Sequence, residues 1–203
     1  MSATLISIIG PPAAGKTTLA SALAGQLPAE IIKEDYAGNP FLAESFAGDA
    51  AARLPGQLYF LMSRLGQLAI SSWPGEGVFV SDYGYCQDRI FAGLILEPDD
   101  LRLYERIARR IDGIVQPPHL LIHLDADPST LLERIDKRGR QFERAMFADF
   151  LQSLRNAHRQ AVQSARQAGC PIISLDTAGH DFRQGSQLAR LVEQIRQVLP
   201  GAN

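Results

Sequence analysis

Short apolar runs bounded by turn residues recur along the chain at 4–9, 31–33, 78–81, 120–124 and 171–175. Runs this short and this apolar are the pattern of parallel strands covered on both faces. The intervals between them are long enough for crossover helices. Leu58, Leu61, Met62, Leu65, Leu68 and Ala69 repeat at helical spacing and predict a long helix over 54–73, closed by Pro74-Gly75-Glu76-Gly77. Asp99-Asp100 is placed to cap a helix over 101–111, and Asp127-Pro128-Ser129 opens one that runs through Arg134. Further helices are predicted over 143–168, ended by Gly169, and over 186–199, ended by Pro200-Gly201. Strand and helix in alternation imply an α/β fold, a five-stranded parallel sheet flanked by helices. Ligands of such sheets sit at the carboxyl ends of the strands.

One of those strand ends carries a motif. Gly10-Pro11-Pro12-Ala13-Ala14-Gly15-Lys16-Thr17-Thr18 fits G-x-x-x-x-G-K-[ST], with an apolar run before it and an Ala/Leu-rich helical stretch after it. Strand, glycine loop and helix in that order are the context a P-loop requires. Backbone N–H groups of such a loop surround phosphate oxygens, and the helix N-terminus adds partial positive charge. Lys16 is expected to reach the outer phosphates and the Thr17 hydroxyl to ligate Mg²⁺. The chain is thereby expected to bind a nucleoside triphosphate.

Composition narrows the class further. The 203 residues suffice for one core, expected as a single domain over 1–203. A net charge of -2 supplies no general attraction for nucleic acid or for an anionic membrane. No apolar run approaches a membrane span, and no basic segment precedes the first apolar run, so the cytoplasm is the expected compartment. Cys86 and Cys170 have no metal spacing and are expected reduced and partly buried.

Transfer of a phosphoryl group needs Mg²⁺, cations around the moving group and often a carboxylate to accept a proton. Asp82, at the end of the third strand, is placed to hold Mg²⁺ directly or through water. Arg134, Lys137, Arg138, Arg140 and Arg144 cluster around Gly139, a mixture suited to a closing loop, at about 134–146. Glu34, after the second strand, is a candidate base. Singly, each has a plainer reading, as a solvated helix end or a turn residue.

Taken in order, these segments resemble the deoxynucleoside kinase family. Glu34 with Asn39-Pro40-Phe41-Leu42 is similar to its E-x4-NPFL segment, and Gln57 to Arg64 to its Q-x6-R helix. Ser81-Asp82-Tyr83 with Asp88-Arg89-Ile90-Phe91-Ala92 resembles its [DE]RS…DR-x-FA region. Arg134-x3-Arg138-Gly139-Arg140-x2-Glu143 is similar to its lid, and Asp149-Phe150-Leu151 to the segment that follows. His180-Asp181-Phe182 resembles the loop that meets the donor adenine.

The resemblance implies a P-loop kinase that phosphorylates the 5'-hydroxyl of a deoxynucleoside with ATP and Mg²⁺, as a homodimer. It implies that Glu34 is the general base, that Gln57, Asp88 and Phe91 meet the nucleobase, and that Arg64 lies near the sugar. Glu143 would accept from the 3'-hydroxyl. Arg138 and Arg140 would join Lys16 in catalysis, with Arg134, Arg138, Asp181 and Phe182 in the ATP site. Three positions depart from the pattern. Tyr83 stands where the family commonly has Arg, and Phe46 and Phe150 where it has Tyr, so the grip on the sugar is altered. Nucleobase preference is not legible, although Gly56 removes bulk beside Gln57 in the direction of a purine. The alternative is a nucleoside monophosphate kinase such as thymidylate kinase, which the adjacent acids Glu34 and Asp35 disfavour by repelling an acceptor phosphate.

Overall fold

The computed structural model describes residues 3–178 and 185–199, with the side chain of Arg144 excepted. The apolar runs form a sheet of five parallel strands, β1 (Thr4–Ile9), β2 (Ala29–Ile32), β3 (Val78–Ser81), β4 (Leu120–Asp125) and β5 (Ile172–Asp176). Their order is β2-β3-β1-β4-β5. Chain direction across the sheet reverses at β1, between β3 and β4, which opens a crevice at its carboxyl end. The three central strands are buried on both faces. The two edge strands are not: Glu30, Ser174 and Asp176 are exposed, and among the described residues no strand pairs beyond β2 or β5.

The helices are α1 (Lys16–Ala24), α2 (Leu42–Phe46), α3 (Ala50–Leu68), α4 (Cys86–Ile95), α5 (Pro98–Ile111), α6 (Pro128–Arg138), α7 (Ala148–Gln167) and α8 (Ser186–Val198). Alternation along β1 divides the core. Ile6 and Ile8 pack with Leu19 and Leu23 of α1, Leu131 and Ile135 of α6 and Leu191 of α8. Leu5 faces Leu61 and Leu68 of α3 and Tyr104 of α5, while Ile9 meets Val162 of α7.

Several boundaries differ from the sequence pattern for local reasons. α3 begins at Ala50, not 54, because the Asp49 carboxylate accepts from Ala51 N at 2.9 Å. It ends at Leu68 because Ala69 turns extended and bridges Val115, followed by a 3₁₀ turn, Ile70–Ser72. In α5, Pro98 takes the first helical position, so Asp99 and Asp100 lie in the first turn and favour the helix dipole without capping. α6 continues past Arg134 to Arg138 and stops at Gly139, whose φ of 71° ends it in a left-handed residue. A 3₁₀ turn, Gln141–Ala145, and the extended Met146 then delay α7 to Ala148, five residues beyond the expected start.

Two imidazoles are buried between β4 and α7. His123 and His158 stack with centroids 6.4 Å apart, and His158 Nδ1 lies 2.8 Å from Leu154 O. Burial depresses His158 from 6.5 to about 3, so it is neutral when folded. A histidine that is easier to protonate when unfolded stabilises the fold above pH 6.5, and that contribution is lost as pH falls from 6.5 toward 3. The denaturation midpoint is therefore expected to drop steeply from pH 7 to pH 4.5. In His158→Leu the drop over that interval should be visibly smaller.

Candidate active site

The loop joining β1 to α1 is shaped by positive backbone angles at Gly10 (φ 150°), Ala13 (φ 62°) and Gly15 (φ 101°). At Gly10 there is no room for a side chain, since a Cβ would lie 2.4 Å from Leu124 O on the neighbouring strand. Gly10→Ala should therefore displace the loop and weaken binding of a nucleoside triphosphate by more than about tenfold, measurable by isothermal titration. Lys16 folds back over the loop and donates to Gly10 O (2.8 Å) and Pro11 O (3.1 Å). Burial pulls its pKa below the ordinary lysine value, while the charges of Glu34 and Asp82 act against the shift.

Asp82, just after β3, ties the start of α1 to the segment that follows β2. Its Oδ2 accepts from the Thr17 hydroxyl at 2.5 Å, and its Oδ1 accepts from Glu34 N at 2.8 Å. Among the described residues no cluster of three or more His, Cys, Asp or Glu could cage a metal. A hydroxyl and one carboxylate beside a phosphate cradle nevertheless fit Mg²⁺, which takes few protein oxygens and completes its shell with phosphate and water.

Glu34 and Asp35, adjacent in sequence, part company. Glu34 is half-buried and forms an ion pair with Arg64. Asp35 instead closes the next turn, accepting from Gly38 N at 2.9 Å and from the Tyr59 hydroxyl at 2.5 Å. Of the two, only Glu34 lines the cavity, so Asp35 takes no part in the repulsion expected from the adjacent pair.

Arg64 is 4% exposed and holds two carboxylates, Glu34 on one side and Asp88 of α4 on the other. Its guanidinium is stacked between rings, 4.8 Å from the Tyr83 centroid and 5.2 Å from that of Phe60. Tyr83 is fully buried and donates to Gln67 Oε1 at 2.6 Å. It is absent from the cavity wall, so this position contributes a floor for Arg64 and no cation of its own.

These groups surround one cavity of about 650 Å³. Pro12, Ala13, Gly15, Lys16, Thr17 and Thr18 line it, as do Gln57, Phe60, Asp88 and Phe91. Phe46 and Phe150 are both on the wall, as apolar surface. Gly10, Pro11 and Ala14 belong to the loop but not to the cavity wall. Asn39 is buried and fixes its segment to α3, its Nδ2 donating to Gly56 O at 3.1 Å and its Oδ1 accepting from Phe41 N at 3.1 Å. Gly56 is on the cavity wall, and a Cβ there would make only an ordinary van der Waals contact with Phe41 Cβ (3.5 Å).

The arginine segment closes the cavity differently from the expectation. Arg138 and Arg140 are paired to buried Glu143, at 2.5 and 3.5 Å, so the carboxylate expected on a sugar hydroxyl holds the two guanidiniums expected on phosphates. A carboxylate has acceptor sites beyond these two contacts. Arg140 also lies 3.9 Å from the Tyr36 centroid, and Phe142 packs against both Tyr36 and Phe46. Arg134 donates to Thr177 Oγ1 (3.0 Å) and Thr177 O (2.6 Å), joining α6 to the end of β5. Arg134, Arg138 and Arg140 all reach the cavity wall. Asp181 and Phe182 lie outside the described residues.

Sequence reasoning missed Tyr36, Arg53, Gln87 and Phe142, all on the wall. A signal existed for Gln87: it is four residues before Phe91 on α4, hence on the same helical face.

A phosphate cradle, a strand-end acid, a cavity carboxylate and an arginine cover at the switch point of a parallel sheet define a P-loop phosphotransferase. A family model described as deoxynucleoside kinase matches residues 6–200. The chain belongs to the deoxynucleoside kinase family. It is 29% identical to a deoxyguanosine kinase of Bacillus subtilis (strain 168), over 97% of this chain and 98% of that one. It is 30% identical to a deoxyadenosine kinase of Dictyostelium discoideum, over 94% of this chain and 78% of that one. The fold is also that of the M. mycoides deoxyadenosine kinase solved with dCMP and dCDP (TM-score 0.80, 20% identity, 98% of this chain and all of that one).

Proposed function

We propose that this enzyme transfers the γ-phosphoryl group of ATP to the 5'-hydroxyl of a deoxynucleoside. The observation that carries the reading is Glu34, a carboxylate on the cavity wall whose backbone N–H is bound to Asp82, the partner of Thr17, and whose side chain is held by Arg64, the partner of Asp88. An uncharged alcohol needs such a group to take its proton as the new P–O bond forms.

The geometry supports the following division of labour. Backbone N–H groups of residues 13–18 and the Lys16 ammonium hold the donor phosphates, with Arg138 and Arg140 turning from Glu143 to meet them. Mg²⁺, held by Thr17 and Asp82, would screen the charge between the phosphates. Arg64 orients Glu34 toward the acceptor. Glu143, once released, accepts from a sugar hydroxyl, and Gln57, Asp88 and Phe91 meet the base. Phe46 and Phe150 add apolar area but no hydroxyl at the sugar. A homodimer fits the exposed Met62 of α3 and Leu103 of α5, helices that pack against each other. Asp181 and Phe182 remain part of the proposed adenine contact on the resemblance alone.

Steady-state turnover of ATP with deoxyadenosine, deoxyguanosine, deoxycytidine and thymidine tests the proposal. At least one should yield its 5'-monophosphate. A folded enzyme inert toward all four would refute it.

A further inference from the structure

Tyr36 follows the candidate base Glu34 by two residues, is 37% exposed and lines the cavity. The Arg140 guanidinium lies over its ring, 3.9 Å from the centroid, well inside the range of a cation–π contact. The ring is also fixed by a second neighbour. Phe142 packs against it with centroids 6.3 Å apart, and against Phe46 of α2 at 5.7 Å. The segment after β2 and the arginine segment therefore meet across this side chain.

A guanidinium is planar, and its five N–H donors lie in that plane. A donor nitrogen pointed end-on at the ring would hold the central carbon farther off, so at 3.9 Å Arg140 lies against the face of Tyr36. Contact through the face leaves the edge free to donate. The partner at that edge is Glu143, at 3.5 Å. It is the looser of two contacts, since Arg138 holds the same carboxylate at 2.5 Å. Arg140 can thus exchange Glu143 for a phosphate oxygen without leaving the ring.

We propose that Tyr36 is a positioning residue for phosphoryl transfer. Its ring is the platform on which Arg140 rests, in the empty enzyme and in the reacting complex alike, and it presents the guanidinium edge to the donor phosphates in a fixed plane. This rests on Arg140 meeting those phosphates, as proposed above.

Two measurements test it. In steady-state turnover of ATP with the best deoxynucleoside, Tyr36→Leu removes the ring face and should lower kcat about 3–20-fold, with KM for the deoxynucleoside within about twofold of the parent. Tyr36→Phe keeps the face and should keep the rate. In an Arg140→Ala background, Tyr36→Leu should cost nothing further, because the platform has nothing to hold. Equal losses with and without Arg140, or a loss confined to KM for the deoxynucleoside, would make Tyr36 a wall contact and overturn the proposal. A kcat that is unchanged or higher in Tyr36→Leu would also overturn it, as would an unchanged kcat in Arg140→Ala. The second measurement does not depend on turnover. Protons over an aromatic face resonate upfield. In ¹⁵N-arginine-labelled enzyme the Arg140 Nε–H signal should stay upfield of its position in Tyr36→Leu after a non-hydrolysable ATP analogue and the deoxynucleoside are added. Its move to the Tyr36→Leu position on binding would show the ring to be a resting place only and overturn the proposal. A parent enzyme inert toward every deoxynucleoside would defeat the kinase assignment, and the Arg140 signal would still decide whether Tyr36 is its platform.

Discussion

Glu34→Gln is expected to lower kcat by roughly 10²–10⁴-fold while binding of ATP is retained. The carboxamide keeps the shape of the side chain and loses the capacity to take a proton. Its surroundings should persist, because the backbone N–H of residue 34 is bound to Asp82 and Arg64 is also held by Asp88. The loss should therefore appear in the chemical step. Single-turnover rates and a separate ATP titration distinguish the two quantities. A rate within threefold of the parent would remove Glu34 from the mechanism.

Arg64→Met should damage both stability and activity. Arg64 and Asp88 are almost completely buried, so removing the guanidinium strands a carboxylate in the interior. Breaking such a pair from one side typically costs about 3–5 kcal/mol. Much of that cost belongs to the orphaned partner, so Arg64→Met/Asp88→Leu should recover a large part of the stability in urea denaturation. It should not recover turnover, because Glu34 would still lack the group that orients it. Equal stability of the single and double variants would show that Asp88 does not depend on Arg64.

The strands were legible because buried parallel strands are written as short apolar runs, and the phosphate cradle because Gly10, Lys16 and Thr17 leave few alternatives. Other features depend on partners distant in sequence. Ala69 ends α3 by bridging Val115, which no pattern within residues 54–73 could reveal. The split between Glu34 and Asp35 is set by Tyr59 and Arg64, each more than twenty positions away. Tyr83 reads as a missing cation in the sequence. In the fold it is a buried ring beneath Arg64, and Arg64 itself meets both Glu34 and Asp88. The pairing of Arg138 and Arg140 with Glu143 was hidden for a different reason: all three residues were identified, but for contacts with a guest and not with one another.

The central claim is that Glu34 faces an alcohol and not a phosphate ester. Offering the enzyme ATP with an equimolar mixture of its best deoxynucleoside and that nucleoside's 5'-monophosphate, and following the products by ³¹P NMR, tests this directly. The expected early product is the monophosphate formed from the free nucleoside. Faster formation of the diphosphate from the supplied monophosphate would contradict it.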